Sequence, residues 1–347
     1  MSEVLLWENI KDDYAQASLI VGNGASMAVS ANFAYGSLYD AAVELKHISK
    51  PVQDVFDSFE VNDFELVLRR LWQAKLVNTA LDIEHGKVEE SYQQVRKALI
   101  ATVRNVHVSY QEAEEHLVHI YKFMQPFSKV LSLNYDLIVY WAAMLGNDNI
   151  GSWHFKDCFN GERKFGEWRD ADGTLFFYPH GNLVLHHHEF SSVKKITAGS
   201  VDLLGSILRK WETDDLAPAF VCEGTQESKQ QSISSCDYLE KLFYEVLPDL
   251  GPNIVIYGWS MAEQDEHLLQ QISKSKAKKI AVSVYKADGT FMGRVEKQLT
   301  DIGVEEVVFF DCESAGAWNK PSTEFLKEQE DEQKAIAEAV KKALRKS

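Results

Sequence analysis

Leu19-Ile20-Val21 runs into Gly22-Asn23-Gly24, and Ala25-Ser26 then leads on towards a helix. Two glycines around one residue allow a tight turn with positive φ and let a ligand come close to the main chain. A helix N-terminus directly after the turn offers free N–H groups to a phosphate. Strand, Gly-x-Gly turn and helix in that order form the first-turn signature of a dinucleotide fold. The third glycine of the longer fingerprint is missing between Ser26 and Val29. Taken alone, the turn therefore fits a structural role equally well, and the rest of the chain has to decide.

Strand character returns at Phe127–Leu133, Leu175–Tyr178, Asn253–Tyr257, Ile280–Tyr285 and Val304–Phe310, with helical patterns between these runs. Alternation of this kind implies a parallel sheet covered on both sides. From about Pro51 to Met124 the strand signal disappears. Phe64, Val67, Leu68, Leu71 and Trp72 fall on one helical face, as do Tyr92, Val95, Leu99 and Val103, and then His116, His119, Ile120 and Phe123. Asn62-Asp63-Phe64-Glu65 reads as a helix start, with Asn62 as cap and Glu65 reaching back. Asp136 is a natural cap and Gly146 a natural stop for a helix over Leu137–Leu145. Residues 186–235 read as irregular and polar, Gly224 to Ser235 most of all. The expected fold is α/β: a Rossmann-like parallel sheet with helices on both faces. Residues 1–320 form the domain, with a helical insertion at about 50–125. Residues 321–347 form a C-terminal amphipathic helix with Ile336, Val340 and Leu344 on one face.

Composition narrows the function. The 36 basic and 52 acidic side chains leave a formal charge of −16, which argues against general affinity for nucleic acid or an anionic membrane. No apolar run reaches membrane-spanning length, and the first residues lack a signal-peptide pattern, so a cytoplasmic location is expected. Cys158, Cys222, Cys236 and Cys312 include no Cys-x-x-Cys pair; reduced thiols and no metal are expected. His186, His187 and His188 are adjacent, so they do not share the i, i+4 face used by many metal sites, and they read as strand or loop surface.

Four strand ends carry unusual polar residues: Gly22 to Ser26, Asn134 to Asp136, His180 to Asn182, and Gly258 to Ser260 with Asp265. In a doubly wound sheet, ligands bind outside the carboxyl ends of the strands, so these four segments converge on one crevice. Their sequences resemble a known family. Gly22-Asn23-Gly24-Ala25-Ser26 looks like the Gly-Ala-Gly-x-Ser turn of sirtuins. Leu133-Asn134-Tyr135-Asp136 is similar to the Thr-Asn-Tyr-Asp of bacterial sirtuin-like domains. Tyr178-Pro179-His180-Gly181 resembles the Leu-His-Gly that carries the sirtuin catalytic histidine. Gly258-Trp259-Ser260 with Asp265-Glu266-His267 resembles the Gly-x-Ser-x-x-Asp segment of the sirtuin-like group. The order and approximate separations agree from residue 18 to about 312. Absence of the zinc-ribbon cysteines and presence of the helical insertion make the closer resemblance that to the prokaryotic sirtuin-like NAD hydrolases of anti-phage defence.

That resemblance implies cleavage of the nicotinamide–ribose bond of NAD, bound as substrate, through an oxocarbenium-like state. Asn134 and His180 are the expected catalytic residues: the amide holds a water against the anomeric carbon, and the imidazole takes a proton. The turn residues Gly22, Asn23, Gly24, Ala25 and Ser26 suit the diphosphate. Asp136 bonds the nicotinamide carboxamide or stabilises the developing positive charge, besides being a natural cap for its helix, and Gly258, Ser260 and Asp265 address the adenosine side. A free NADase is toxic, so control is expected through homo-oligomerisation or a partner protein that senses infection. The rival readings are an NAD-dependent deacylase or ADP-ribosyltransferase, and a non-catalytic subunit that binds NAD or ADP-ribose.

Overall fold

The computed structural model describes residues 3–34, 37–151, 154–160, 165–169, 172–188, 192–214, 218–220, 229–230, 233–234 and 236–344. Its strands are β1 (Val4–Leu5), β2 (Ser18–Val21), β3 (Lys129–Ser132), β4 (Phe155–Lys156), β5 (Thr174–Phe177), β6 (Gly181–His188), β7 (Ser192–Lys195), β8 (Pro218–Phe220), β9 (Asn253–Tyr257), β10 (Lys279–Val284) and β11 (Glu306–Asp311). Eight of them form one sheet in the order β1-β11-β10-β9-β2-β3-β5-β4, and each of its pairings is parallel. Numbered by appearance, its six central strands β5-β3-β2-β9-β10-β11 run 3-2-1-4-5-6, the Rossmann order. The chain leaves β2 in one direction, through β3 and β5. It later returns beside β2 as β9 and runs the other way. The switch point thus lies between the carboxyl ends of β2 and β9.

Every residue of β2 is buried, as a central parallel strand requires. Its one polar side chain is satisfied, because Ser18 Oγ donates to the Leu250 carbonyl at 2.7 Å. Buried apolar side chains form one cluster extending from Trp7 to Trp318.

The stretch read as an insertion is helical, as Lys50–Phe59, Phe64–Ala80, Gly86–Val106 and Tyr110–Met124. Phe64, Val67, Leu68, Leu71, Tyr92, Val95, Leu99 and Val103 of its stripes are buried, as are Ile120 and Phe123, whereas Trp72, His116 and His119 are half-buried. The helix start falls one residue later than the sequence suggests. Asp63, not Asn62, is the cap, and its carboxylate accepts from the N–H groups of Glu65 and Leu66. Glu65 does not reach back. It lies buried with Oε1 at 3.0 Å from His187 Nε2 on β6.

Gly146 does not stop its helix, which runs Ile138–Ile150 and ends at Gly151, where φ is +79°. Gly146 is instead the place where β4 packs: a Cβ there lies 2.4 Å from the Phe155 ring. The described residues among 186–235 are more regular than expected. Strand β6 reaches into them as far as His188 and pairs antiparallel with β7 and β8 in a second, three-stranded sheet, and Leu203–Thr213 is a helix that buries Leu203, Ile207, Leu208 and Trp211. Two histidines of the run are accordingly not surface: His186 is buried, and His187 meets Glu65.

The last helix, Thr323–Leu344, is anchored at its start, where Thr323 donates to Glu8 and the Phe325 ring meets His119 edge-on. The side chains of Ile336, Val340 and Leu344 lie outside the described residues, as does Cys222. No helix among the described residues is long and apolar enough to cross a membrane.

Candidate active site

At the switch point the turns after β2 and β9 touch backbone to backbone. The Gly22 N–H donates to the Tyr257 carbonyl at 2.9 Å, and the Gly24 N–H donates to the Gly258 carbonyl at 2.7 Å. Glycine is needed there for closeness rather than for positive φ. Gly22 sits at φ −109°, and the left-handed residue is Gly258, at φ +66°. A Cβ at Gly22 would lie 2.5 Å from Trp259 Cα, and one at Gly24 would lie 2.9 Å from Gly258 Cα. Gly24→Val is therefore expected to push the two turns apart, lowering stability by about 1–3 kcal/mol and abolishing ligand binding together. Wild-type stability in a denaturant titration would show that the two turns are not in contact at Gly24.

The turn is also held from the β3 side. Asn134 is buried and donates both amide hydrogens, to the Gly22 carbonyl at 3.0 Å and to Ser26 Oγ at 2.8 Å. Only its Oδ1 is left for a ligand or water. The Ser26 hydroxyl in turn donates to Asp136 Oδ2, and Asp136 Oδ1 accepts from the Ile138 N–H at 2.9 Å. Asp136 thus braces the turn and takes the first helical N–H, while the cap position itself falls one residue later than expected, at Leu137. Behind Asp136 stands His107, just after the helix Gly86–Val106. Its Nε2 accepts from the Leu137 N–H at 3.0 Å, and its Nδ1 lies 2.7 Å from the Val108 carbonyl, which fixes the neutral tautomer with the proton on Nδ1. Burial pushes the Asp136 carboxyl up and the His107 imidazole down, against the attraction each exerts on the other.

His180 follows β5, where the chain turns into β6, and only 5% of it is exposed. Its ring stacks on His267, with Nε2 to Nε2 at 3.4 Å. Beside them Lys229 Nζ donates to Asp265 Oδ1 at 2.6 Å, and Trp259 Nε1 donates to Asp265 Oδ2 at 2.9 Å. Burial first, and then the Lys229 ammonium, lower His180 to about 3, with Asp265 pulling the other way. The same two causes lower His267 to about 4. Asp265 stays below the ordinary carboxylate range in spite of its burial, held there by His180, the Lys229 ammonium and the hydrogen bonds from Lys229 and Trp259.

These groups enclose a cavity of about 890 Å³, within the range of cofactor sites. Gly22, Asn23, Gly24, Asn134, His180, Gly258, Ser260 and Asp265 all line it. Ala25, Ser26 and Asp136 do not. They lie one layer behind: the Ala25 carbonyl accepts from Trp318 Nε1 at 2.8 Å, tying the chain after β11 across the turn. The lining also includes residues that sequence reasoning passed over, among them Lys229, Trp259, Tyr285, Asp288 and Lys320. Trp259 lay inside a quoted motif, and its position beside Gly258 was a usable signal. Lys229 carried none, because it falls in the stretch read as irregular. No group of three or more His, Cys, Asp or Glu among the described residues is arranged to hold a metal ion.

Comparison with curated proteins returns no match. A family profile does match over residues 19–318, a span that starts in β2, takes in the insertion and ends at Trp318. The chain belongs to the family described as a domain of unknown function, DUF4917.

Proposed function

We propose that this chain is an NAD glycohydrolase that cleaves the nicotinamide–ribose bond to give nicotinamide and ADP-ribose. The observation that carries the reading is convergence. Four segments, separated by as much as a hundred residues and each resembling a sirtuin-like motif, line one cavity at the switch point of a Rossmann-ordered sheet. Ligands bind at that place in such sheets.

The residues present suit the chemistry. Nicotinamide leaves as a neutral molecule from a cationic glycoside, so the bond needs no acid to break. The ribose then carries positive charge, and an imidazolium beside it would oppose that charge. His180 is neutral at physiological pH. Asn134 Oδ1, with both amide hydrogens engaged behind it, is an acceptor fixed in position for the attacking water. His180 takes the proton from that water as its oxygen bonds to the anomeric carbon.

Incubating the purified chain with NAD and separating the products by chromatography tests the reading. Nicotinamide and free ADP-ribose in equal amounts, without an added acceptor, support hydrolysis. Turnover only with an acylated peptide, or label transferred to protein, would identify the deacylase or transferase. Binding without turnover would identify a binding subunit. In a cell the proposed activity depletes NAD, in keeping with anti-phage defence held off until infection by assembly or by a partner protein.

A further inference from the structure

The turn after β2 is where the sequence places a phosphate, yet its donors are largely engaged. The Gly24 N–H bonds to Gly258 and the Ala25 N–H to the Gly22 carbonyl at 3.0 Å. Among the described residues two ammonium groups line the cavity, Lys229 and Lys320. Lys320 is half-buried and has Glu313 at 3.8 Å. Lys229 is different, with 5% exposure in the cavity wall beside Gly258 and Trp259. An ammonium carries three hydrogens, and Asp265 Oδ1 takes one. The other Asp265 oxygen is occupied by Trp259, which orients the carboxylate and so the lysine. Burying a lysine is costly unless its hydrogens find acceptors, and among the described residues Asp265 alone is such an acceptor.

We propose that Lys229 is the group through which the cavity recognises a phosphate of its ligand. The inference rests on the dinucleotide reading for the expectation of a diphosphate, but the recognition itself needs only a phosphate oxygen. It also bears on His180. A phosphate on Lys229 offsets the second of the two causes that lower the imidazole, burial being the first, and leaves Asp265 to draw it up. His180 thereby becomes a stronger base when ligand is in place.

Calorimetry with three probes tests this: inorganic pyrophosphate, ADP-ribose and adenosine. Lys229→Met is expected to weaken pyrophosphate and ADP-ribose at least tenfold and to leave adenosine unchanged. Lys229→Gln, which keeps a hydrogen bond to Asp265 without the charge, is expected to do the same if the methionine variant does not fold. In the wild-type chain, pyrophosphate should protect Lys229 from acetylation, read by peptide mass spectrometry. Unchanged pyrophosphate affinity in a folded variant, or unchanged labelling of Lys229, would overturn the proposal. Lysine-dependent pyrophosphate binding by a chain that does not cleave NAD would uphold it and remove the NADase reading instead.

Discussion

Replacing His180 with alanine is expected to slow NAD cleavage by about 10²–10⁴-fold, the contribution of a positioned acid–base group. The melting temperature at neutral pH should move little, because the side chain lines the cavity and its polar neighbours are His267 and the Leu133 backbone. The pH profile carries the sharper signature. With His180 lowered to about 3, the acid limb of kcat/KM, which reports the free enzyme, should fall well below the ordinary histidine range. Activity that is flat from pH 8 to pH 5 is therefore expected, in contrast to an enzyme whose base titrates near 6.5. Near-wild-type turnover in folded His180→Ala, or an acid limb at 6.5 that disappears in that variant, would remove His180 or its neutral state from the mechanism. Asn134→Ala is a less clean test, since it also frees the Gly22 carbonyl and Ser26 Oγ.

The sheet was legible because buried parallel strands are short apolar runs between helical patterns, and β2 and β9 fall where those runs predict. The helices of the insertion were legible from their stripes. Other elements escaped. Strand β1 is two residues long and gains its place only by pairing with β11, from the other end of the chain. The second sheet carries His and Lys on β6 and β7, and these side chains find partners that no local pattern announces: His187 meets Glu65, more than a hundred residues earlier.

At the site, the turn glycines were found for a different reason from the true one. A sequence shows that two glycines flank Asn23; it does not show that Gly258 and Trp259 press against them. Ser26 and Asp136 were found as ligand groups because they sit in the motifs, but they brace the turn from behind. The helix Leu203–Thr213 is a miss with a readable signal, since Leu203, Ile207 and Trp211 recur every fourth residue.

The burial that keeps His180 neutral has a cost in stability that acid should expose. An unfolded histidine takes a proton near 6.5, whereas His180 and His267 do so only near 3 and 4. Between those values and 6.5 the unfolded chain binds more protons, so stability falls as pH falls. A pH of 5 lies 1.5 units below the unfolded value and above both folded ones, so each of the two costs about 2 kcal/mol at about 1.4 kcal/mol per unit. About 4 kcal/mol is a large share of the 5–15 kcal/mol typical of a folded domain. His107 and Asp136 shift in opposite directions, so their contributions oppose each other. Asp265, held low, loses stability only as pH drops through and below the ordinary carboxylate range. The melting temperature is therefore expected to drop clearly between pH 7.5 and pH 5.0 in the wild-type chain, and much less in His180→Gln/His267→Gln. Equal drops in the two proteins would mean that these imidazoles are already protonated in the fold, and the neutral base would go with them.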